Sequence, residues 1–139
     1  MGFDKGQANL AFVKSFYEAV PDLDNDLSSF FTEDFVITEA PDLPYGGAYR
    51  GRTGMRELVN KINGMIVASN VSLERFAVSE DSVIATLRFD LALTGGGTAT
   101  QYVAEEFIFE GDKVREVRPY YFDNALMHRG VAANADAVG

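Results

Sequence analysis

The sequence predicts an α+β fold, in which a strongly curved, mixed but mostly antiparallel sheet forms a cone-shaped barrel over three helices. The first half of the chain carries apolar residues at helical spacing, and the second half contains four long stretches rich in β-branched and aromatic residues. Short turns join these stretches, which favours an antiparallel meander. At roughly 3.3 Å per residue, flat strands of this length would be longer than a small domain is wide. We therefore expect the sheet to coil strongly.

The helices are predicted in the first half of the chain. Apolar side chains recur at helical spacing over residues 7–20 until a proline ends the pattern. Asp24 is placed to cap a short second helix around residues 27–31, and residues 35–39 then form a strand. After a loop with two prolines and two glycines, Thr53 is expected to cap a third helix. Its buried stripe would be Met55, Leu58, Val59, Ile62 and Ile66.

The second half is predicted to consist of strands. We expect them over residues 71–78, 83–94, 98–109 and 114–123, the last two joined by a turn at Gly111 and Asp112. Residues 1–139 are expected to form a single domain, because 139 residues can bury one core but not two. The low-complexity tail at 131–139 is expected to be disordered.

Composition excludes several classes of function. Acidic residues number 21 against 12 basic ones, a formal net charge of −9, which disfavours binding to nucleic acid. The absence of cysteine excludes disulfides and thiolate chemistry, and the single histidine cannot build a His-rich metal site. No apolar run is long enough to cross a bilayer, and residues 1–6 lack the character of a signal peptide. We therefore expect a cytoplasmic protein with no metal or cofactor and no membrane or nucleic-acid partner, whose ligand is a small hydrophobic molecule.

The predicted hairpin at 102–123 sets a carboxyl group among aromatic rings. Because successive strand side chains point to opposite faces, Val103, Glu105, Phe107 and Phe109 share one face. Glu105 thus falls in an otherwise apolar row. A carboxyl group in such a place finds a partner, stays protonated through desolvation, or takes part in chemistry.

The register of this hairpin decides between two readings of Glu105. With a regular two-residue turn, Glu105 lies opposite Arg118 as a structural ion pair, and Tyr121 and Asp123 face outward. One β-bulge would reverse the second strand and gather Glu105, Tyr121 and Asp123 around a cavity. The plain alternative for Asp123 is a cap for a helical turn at residues 124–127.

Three stretches, together with the order of elements, resemble the nuclear transport factor 2-like superfamily, and within it the SnoaL-like polyketide cyclases and ketosteroid isomerases. They are SFFTEDFVITEAP, YRGRTGMREL and EEFIFEGDKVREV, and the resemblance spans about residues 10–126. It implies a cone-shaped fold with an apolar cavity opening near residues 40–50. It also implies a homodimer through the sheet, consistent with apolar residues on the outer strand face at Tyr102, Ala104 and Ile108.

The resemblance also implies site residues. Glu39 is similar in place to the isomerase base, Glu105 to its protonated acid, and Tyr17 lies about one turn from the oxyanion tyrosine. Asp123 is similar in place to the acid/base of the cyclases, whose assisting histidine has no counterpart here. The expected substrate contacts are Tyr45, Phe107, Arg118 and Tyr121.

Three functions are compatible with these features. An enzyme would move a proton on a small hydrophobic carbonyl compound without cofactor, as an isomerase, cyclase or lyase: Glu39 would abstract the proton, and Glu105 with Tyr17 would stabilise the enolate oxygen. A binding module would hold an apolar ligand, with Glu105 locked to Arg118. An accessory protein would fill the pocket with its own side chains. For Glu39, the structural alternative is an ion pair with Arg50, Arg52 or Arg56.

Overall fold

The computed structural model describes residues 2–19 and 30–130, with side chains over 5–18 and 30–130. Within these residues, two α-helices, six strands and a 3-10 helix follow in chain order. They are α1 (Gly2–Ala19), β1 (Phe31–Glu39), β2 (Gly47–Arg50), α2 (Gly51–Met65), β3 (Ala68–Val78), β4 (Ser82–Ala92), β5 (Thr98–Glu110), β6 (Lys113–Tyr121) and the final 3-10 helix (Ala125–Arg129). The predicted α+β class is confirmed.

The six strands form one sheet in the order β2-β1-β6-β5-β4-β3. Strands β3 to β6 form the predicted antiparallel meander, whereas β1 runs parallel to β6. Ile37 of β1 lies beside Val117 of β6, so the carboxyl ends of these strands meet at one end of the sheet. Glu39 and Tyr121, the last residues of the two strands, therefore lie in the same region.

Some predicted elements differ from those observed. The predicted second helix falls mostly on residues 20–29, outside the described residues, and Phe31 already begins β1. Strand β2 was not expected, because the glycines before it indicate a loop. It runs directly into α2, so the extended backbone of Arg50 caps the helix and Thr53 lies inside the first turn. The predicted tail at 131–139 also lies outside the described residues.

The core lies between the helices and the inner face of the sheet. Val13 and Phe16 of α1 are buried there, and the Phe16 ring packs edge-to-face against Phe31 at 5.2 Å and Phe107 at 5.7 Å between centroids. This packing fixes α1 across the middle of β5. No helix among the described residues is long and apolar enough to span a membrane.

A β-bulge in β6 sets the register of the last hairpin. Glu110 pairs with Lys113 around the predicted two-residue turn, and Phe109 pairs with Val114, but Ile108 pairs with Glu116. Arg115 is therefore the extra residue of the bulge, with no paired residue on β5. Beyond the bulge Glu105 lies opposite Pro119, and Glu106 opposite Arg118, so the regular register that pairs Glu105 with Arg118 is wrong. A shift of one residue turns every later side chain of β6 to the other face.

Candidate active site

Glu105 and Tyr17 are joined by a hydrogen bond across the core. The Tyr17 hydroxyl donates to Oε1 of Glu105 at 2.5 Å, and the Tyr17 ring packs edge-to-face on Phe107 with centroids 5.6 Å apart. Burial raises the pKa of the Glu105 carboxyl, and the hydrogen bond from Tyr17 opposes part of that rise. Burial and the charge of Glu105 raise the pKa of Tyr17, so its hydroxyl keeps its proton.

Glu39 is the second buried carboxyl group. It ends β1, only 4% of it is exposed, and its Oε1 has no hydrogen-bond partner among the described residues. Burial, and then repulsion from Glu105, raise the pKa of Glu39 to about 8. That repulsion shows that the two carboxyl groups are within electrostatic reach of each other. The structure thus brings together the two acids that the sequence singled out.

Two further tyrosines complete the group. Tyr45 lies in the loop between β1 and β2, is almost fully buried, and donates its hydroxyl hydrogen to the hydroxyl oxygen of Tyr121. The Tyr49 hydroxyl donates to the backbone carbonyl of Tyr45 at 2.8 Å, which fixes the loop. Burial raises the pKa of both Tyr45 and Tyr121, and the charges of Glu39 and Glu105 add to the rise. We call these five side chains the tyrosine-carboxyl cluster: Tyr17, Glu39, Tyr45, Glu105 and Tyr121.

The topology explains why these residues meet. Glu105 points inward with its row on β5, Tyr17 is carried onto it by α1, and the bulge at Arg115 turns Tyr121 inward. Glu39 reaches the same region because β1 lies parallel to β6. The cluster therefore depends on one helix, three neighbouring strands and one loop.

Two of the expected site residues lie elsewhere. Arg118 is exposed on the outer face, where its Nε and Nη2 donate to Oε2 of Glu116 at 3.0 and 2.8 Å. Asp123 is exposed, and its carboxylate accepts the backbone N–H of Leu126 at 3.1 Å, which is the capping alternative. Alternation does not carry Asp123 inward because β6 ends at Tyr121. The expected contact residue Phe107 is buried core beneath Tyr17.

Gln101 supports the site and was missed from the sequence. It is fully buried, its Nε2 donates to the backbone carbonyl of Asp123 at 2.7 Å, and its Oε1 accepts the Asp123 N–H at 3.2 Å. These bonds hold the chain just after Tyr121. The strand alternation, extended two residues back from Val103, would have placed Gln101 in the inner row.

The cluster holds the groups needed for proton transfer. Glu39, whose pKa is about 8, keeps its proton near neutral pH, and burial raises the pKa of Glu105 as well. Among the described residues, no three His, Cys, Asp or Glu side chains are grouped as a metal site.

Comparison with known proteins gives the family and the fold. The model of the SnoaL-like domain matches residues 13–117, and no curated protein matches the chain. Similar solved structures include an NTF2-like protein of unknown function from Burkholderia pseudomallei, with 22% identity, a TM-score of 0.76, and coverage of 91% of this chain and 98% of that one.

Two other similar structures carry more specific descriptions. TerC, co-crystallised with polyporic acid, has 17% identity, a TM-score of 0.73, and coverage of 87% of this chain and 95% of its own. A proposed SnoaL-like polyketide cyclase from Mesorhizobium loti has 21% identity, a TM-score of 0.63, and coverage of 81% and 97%. At such identities the likeness shows the fold alone. The fold is that of the NTF2-like structures. The match to the family model covers most of the chain, includes β1 and reaches into β6, and it makes this protein a member of the SnoaL-like domain family.

Proposed function

We propose that this protein catalyses cofactor-free proton transfer on a small, neutral, hydrophobic carbonyl compound, as an isomerase or cyclase. The observation that carries the proposal is the pair of inward-facing carboxyl groups, Glu39 and Glu105. Glu39 is buried with an oxygen that lacks a partner among the described residues, and Glu105 is held by Tyr17. A buried polar group without a partner is unfavourable for folding, and such groups mark candidate functional sites.

The hydrogen-bond pattern distributes the roles between the two acids. The Tyr17 hydrogen bond stabilises the Glu105 anion, and the charge of Glu105 hinders ionisation of Glu39. Glu39, with a pKa of about 8, therefore keeps its proton near neutral pH, and in the proposed mechanism Glu105 is the acid that ionises. Glu105 acts as the general base and Glu39 as the general acid, which exchanges the roles suggested by the family resemblance.

Over one turnover the substrate loses one proton and gains one. The Glu105 carboxylate takes a proton from the carbon next to the carbonyl, and Glu39 gives its proton to the resulting enolate at carbon or oxygen. The substrate has then lost one proton and gained one, while the negative charge has moved from Glu105 to Glu39. Proton exchange with water returns the pair to its starting state.

The related structures support the chemical class. The neighbour from Mesorhizobium loti is a proposed polyketide cyclase, and TerC was crystallised with polyporic acid. The rings around Tyr17, including Phe107 and Phe76, give the described part of the cluster an apolar wall suited to a hydrophobic compound.

The test is exchange of the α-protons of 2-tetralone in D₂O, followed by proton NMR. We expect wild-type protein to accelerate the exchange in proportion to its concentration, and Glu105→Gln to lower the rate by about 10²-fold or more. Glu106→Gln is the matched control, because Glu106 is the adjacent residue and bonds to the exposed Tyr120. No acceleration by wild-type protein, or an unchanged rate in Glu105→Gln, would contradict the proposal.

A second candidate is non-catalytic binding of an apolar ligand. It is favoured by the fact that Tyr17 and Tyr45 already donate their hydroxyl hydrogens within the cluster. In that case 2-tetralone would bind without any exchange of its α-protons. The form of this alternative that locks Glu105 to Arg118 is excluded by the register of β5 and β6.

A further inference from the structure

We propose that Tyr121, and not Tyr17, is the hydroxyl group that donates a hydrogen bond to the carbonyl oxygen of the substrate, and that Tyr45 strengthens it by donating to Tyr121. This inference rests on the proposed proton transfer and assigns the group that stabilises the developing negative charge. Tyr121 is then a catalytic residue, and Tyr45 is a positioning residue that acts through it.

The hydroxyl hydrogen of Tyr17 is already in use. A tyrosine has a single O–H to donate. Tyr17 gives its hydrogen to Glu105. Redirecting it to a substrate would leave the Glu105 anion without its donor. Tyr17 therefore serves the base and does not also serve the substrate.

The pair formed by Tyr45 and Tyr121 has a hydroxyl hydrogen to spare. Tyr45 donates to the hydroxyl oxygen of Tyr121, which leaves the Tyr121 hydrogen for another acceptor. Within residues 5–18 and 30–130, no hydrogen bond uses that hydrogen. A hydroxyl group that accepts one hydrogen bond becomes a better donor of the next, because chains of hydrogen bonds polarise one another. The Tyr121 hydroxyl is thus a strengthened donor whose hydrogen is available to a substrate.

Tyr121 is the last residue of the strand that separates the two acids. Strand β6 lies between β1, which carries Glu39, and β5, which carries Glu105. Glu105 pairs with Pro119, and Tyr121 is the next inward residue of β6 beyond it. A carbonyl group that accepts from Tyr121 would therefore lie near the strand positions of both the proton acceptor and the proton donor of the proposed reaction. Burial, then Tyr45 and the two neighbouring carboxyl groups, raise the pKa of Tyr121, so the hydrogen stays in place at neutral pH.

Tyr45 is held so that it can perform this role. The Tyr49 hydroxyl bonds to its backbone carbonyl at 2.8 Å, and the rings of Tyr45 and Tyr121 meet edge-to-face with centroids 6.2 Å apart. Both contacts orient the Tyr45 hydroxyl towards Tyr121. A preorganised donor avoids reorganisation when charge develops on the substrate oxygen.

The experiment uses 2-tetralone labelled with ¹³C at the carbonyl, bound to the full chain. A hydrogen bond to the oxygen moves the bound carbonyl resonance downfield. We expect this displacement in the wild type, its loss in Tyr121→Phe together with a fall in exchange rate of roughly 10- to 1000-fold, and a partial loss in Tyr45→Phe. Tyr17→Phe should keep the displacement and alter the pH profile instead. Tyr120→Phe, which removes the neighbouring exposed hydroxyl, should change neither measurement.

Each outcome decides one or both proposals. A displacement retained in Tyr121→Phe, or lost in Tyr17→Phe, overturns the assignment of Tyr121 while leaving proton transfer intact. A Tyr121-dependent displacement without α-proton exchange supports the assignment and overturns catalysis. If 2-tetralone does not bind, both proposals fail for this class of ligand. Because Tyr45→Phe keeps Tyr121 in place, it decides the question even if Tyr121→Phe folds poorly.

Discussion

The Tyr17 hydroxyl donates to Oε1 of Glu105 at 2.5 Å and so ties α1 to the middle of β5. The bond stabilises the ionised carboxylate in a place where burial favours the neutral acid. It is therefore the contact that keeps Glu105 usable as a base, and it links the packing of the first helix to the chemistry of the sheet.

Removing this donor should weaken the base. In Tyr17→Phe, burial alone acts on Glu105, so the acidic limb of the 2-tetralone exchange profile should move to higher pH. A hydrogen bond to a charged group contributes about 1.5–3 kcal/mol, so the rate at neutral pH should fall roughly tenfold or more. Exchange measured by NMR across a pH series checks this. A profile that coincides with the wild type would show that the hydrogen bond does not tune Glu105.

Glu39 should make the protein less stable as the pH rises. Its pKa is about 8 in the folded protein against an ordinary value of 4.5, so the folded state binds more protons between these values. The stabilisation is complete below about pH 4.5 and is lost as the pH rises to about 8. Glu39→Gln cannot ionise and should exceed the wild type in unfolding free energy by roughly 2–4 kcal/mol above pH 8.

Urea denaturation across this pH range measures the effect of Glu39→Gln. Glu105 is present in both proteins, so the difference between the two curves reports Glu39 together with its interaction with Glu105. Glu110→Gln, at an exposed site on β5, is the matched control and should keep the slope of the wild type. Parallel curves for wild type and Glu39→Gln would show that Glu39 is not held as a buried acid.

Gly54 of α2 should not tolerate a side chain. A Cβ atom there would lie 2.7 Å from the backbone carbonyl carbon of Tyr49, and backbone cannot move aside as a flexible side chain can. The clash outweighs the gain in helix propensity of about 1 kcal/mol. Gly54→Ala should lower the unfolding free energy by roughly 1–3 kcal/mol. In urea denaturation Asn60→Ala, at an exposed site of the same helix, should be neutral or stabilising, and a stabilised Gly54→Ala would contradict the packing.

The outer face of the sheet should form a homodimer interface. Tyr102 and Tyr120 are nearly half exposed and Phe122 is 82% exposed, and together with Thr86 and Ala104 they line a groove of about 340 Å³. Tyr102→Glu should yield monomers at concentrations where the wild type sediments as a dimer. Asn60→Glu adds the same charge on α2 and should leave the dimer intact. Sedimentation of the wild type as a monomer would exclude this interface.

Local patterns predicted most of the secondary structure. Helical spacing identified α1 and α2, and alternation identified the four strands of the meander, because each signal lies within a few neighbouring residues. The same alternation placed Glu105 in the inner row. Strand β2 was not predicted because it has only four residues and begins at Gly47, whose φ of 131° is typical of a loop.

The site itself depends on relationships that no local pattern shows. Arg115 is an ordinary residue, and nothing near it marks a bulge, yet it decides whether Tyr121 faces inward. The meeting of Glu39 with Tyr121 requires β1 to lie parallel to β6, a long-range pairing. Asp123 was placed in the pocket by resemblance, whereas the end of β6 at Tyr121 releases it to cap the final 3-10 helix.

The extra residue at position 115 makes the hairpin sensitive to changes in length rather than in composition. Deleting Arg115 would turn Tyr121 to the outer face and Tyr120 to the inner face. It would also turn the Arg118 guanidinium inward, although no other residue had changed. Relatives that differ by one residue between β5 and the end of β6 could thus present a different set of inward side chains on the same backbone. An alignment that ignores this gap would match residues of opposite orientation, and the chemistry of such relatives could not be transferred from one to another.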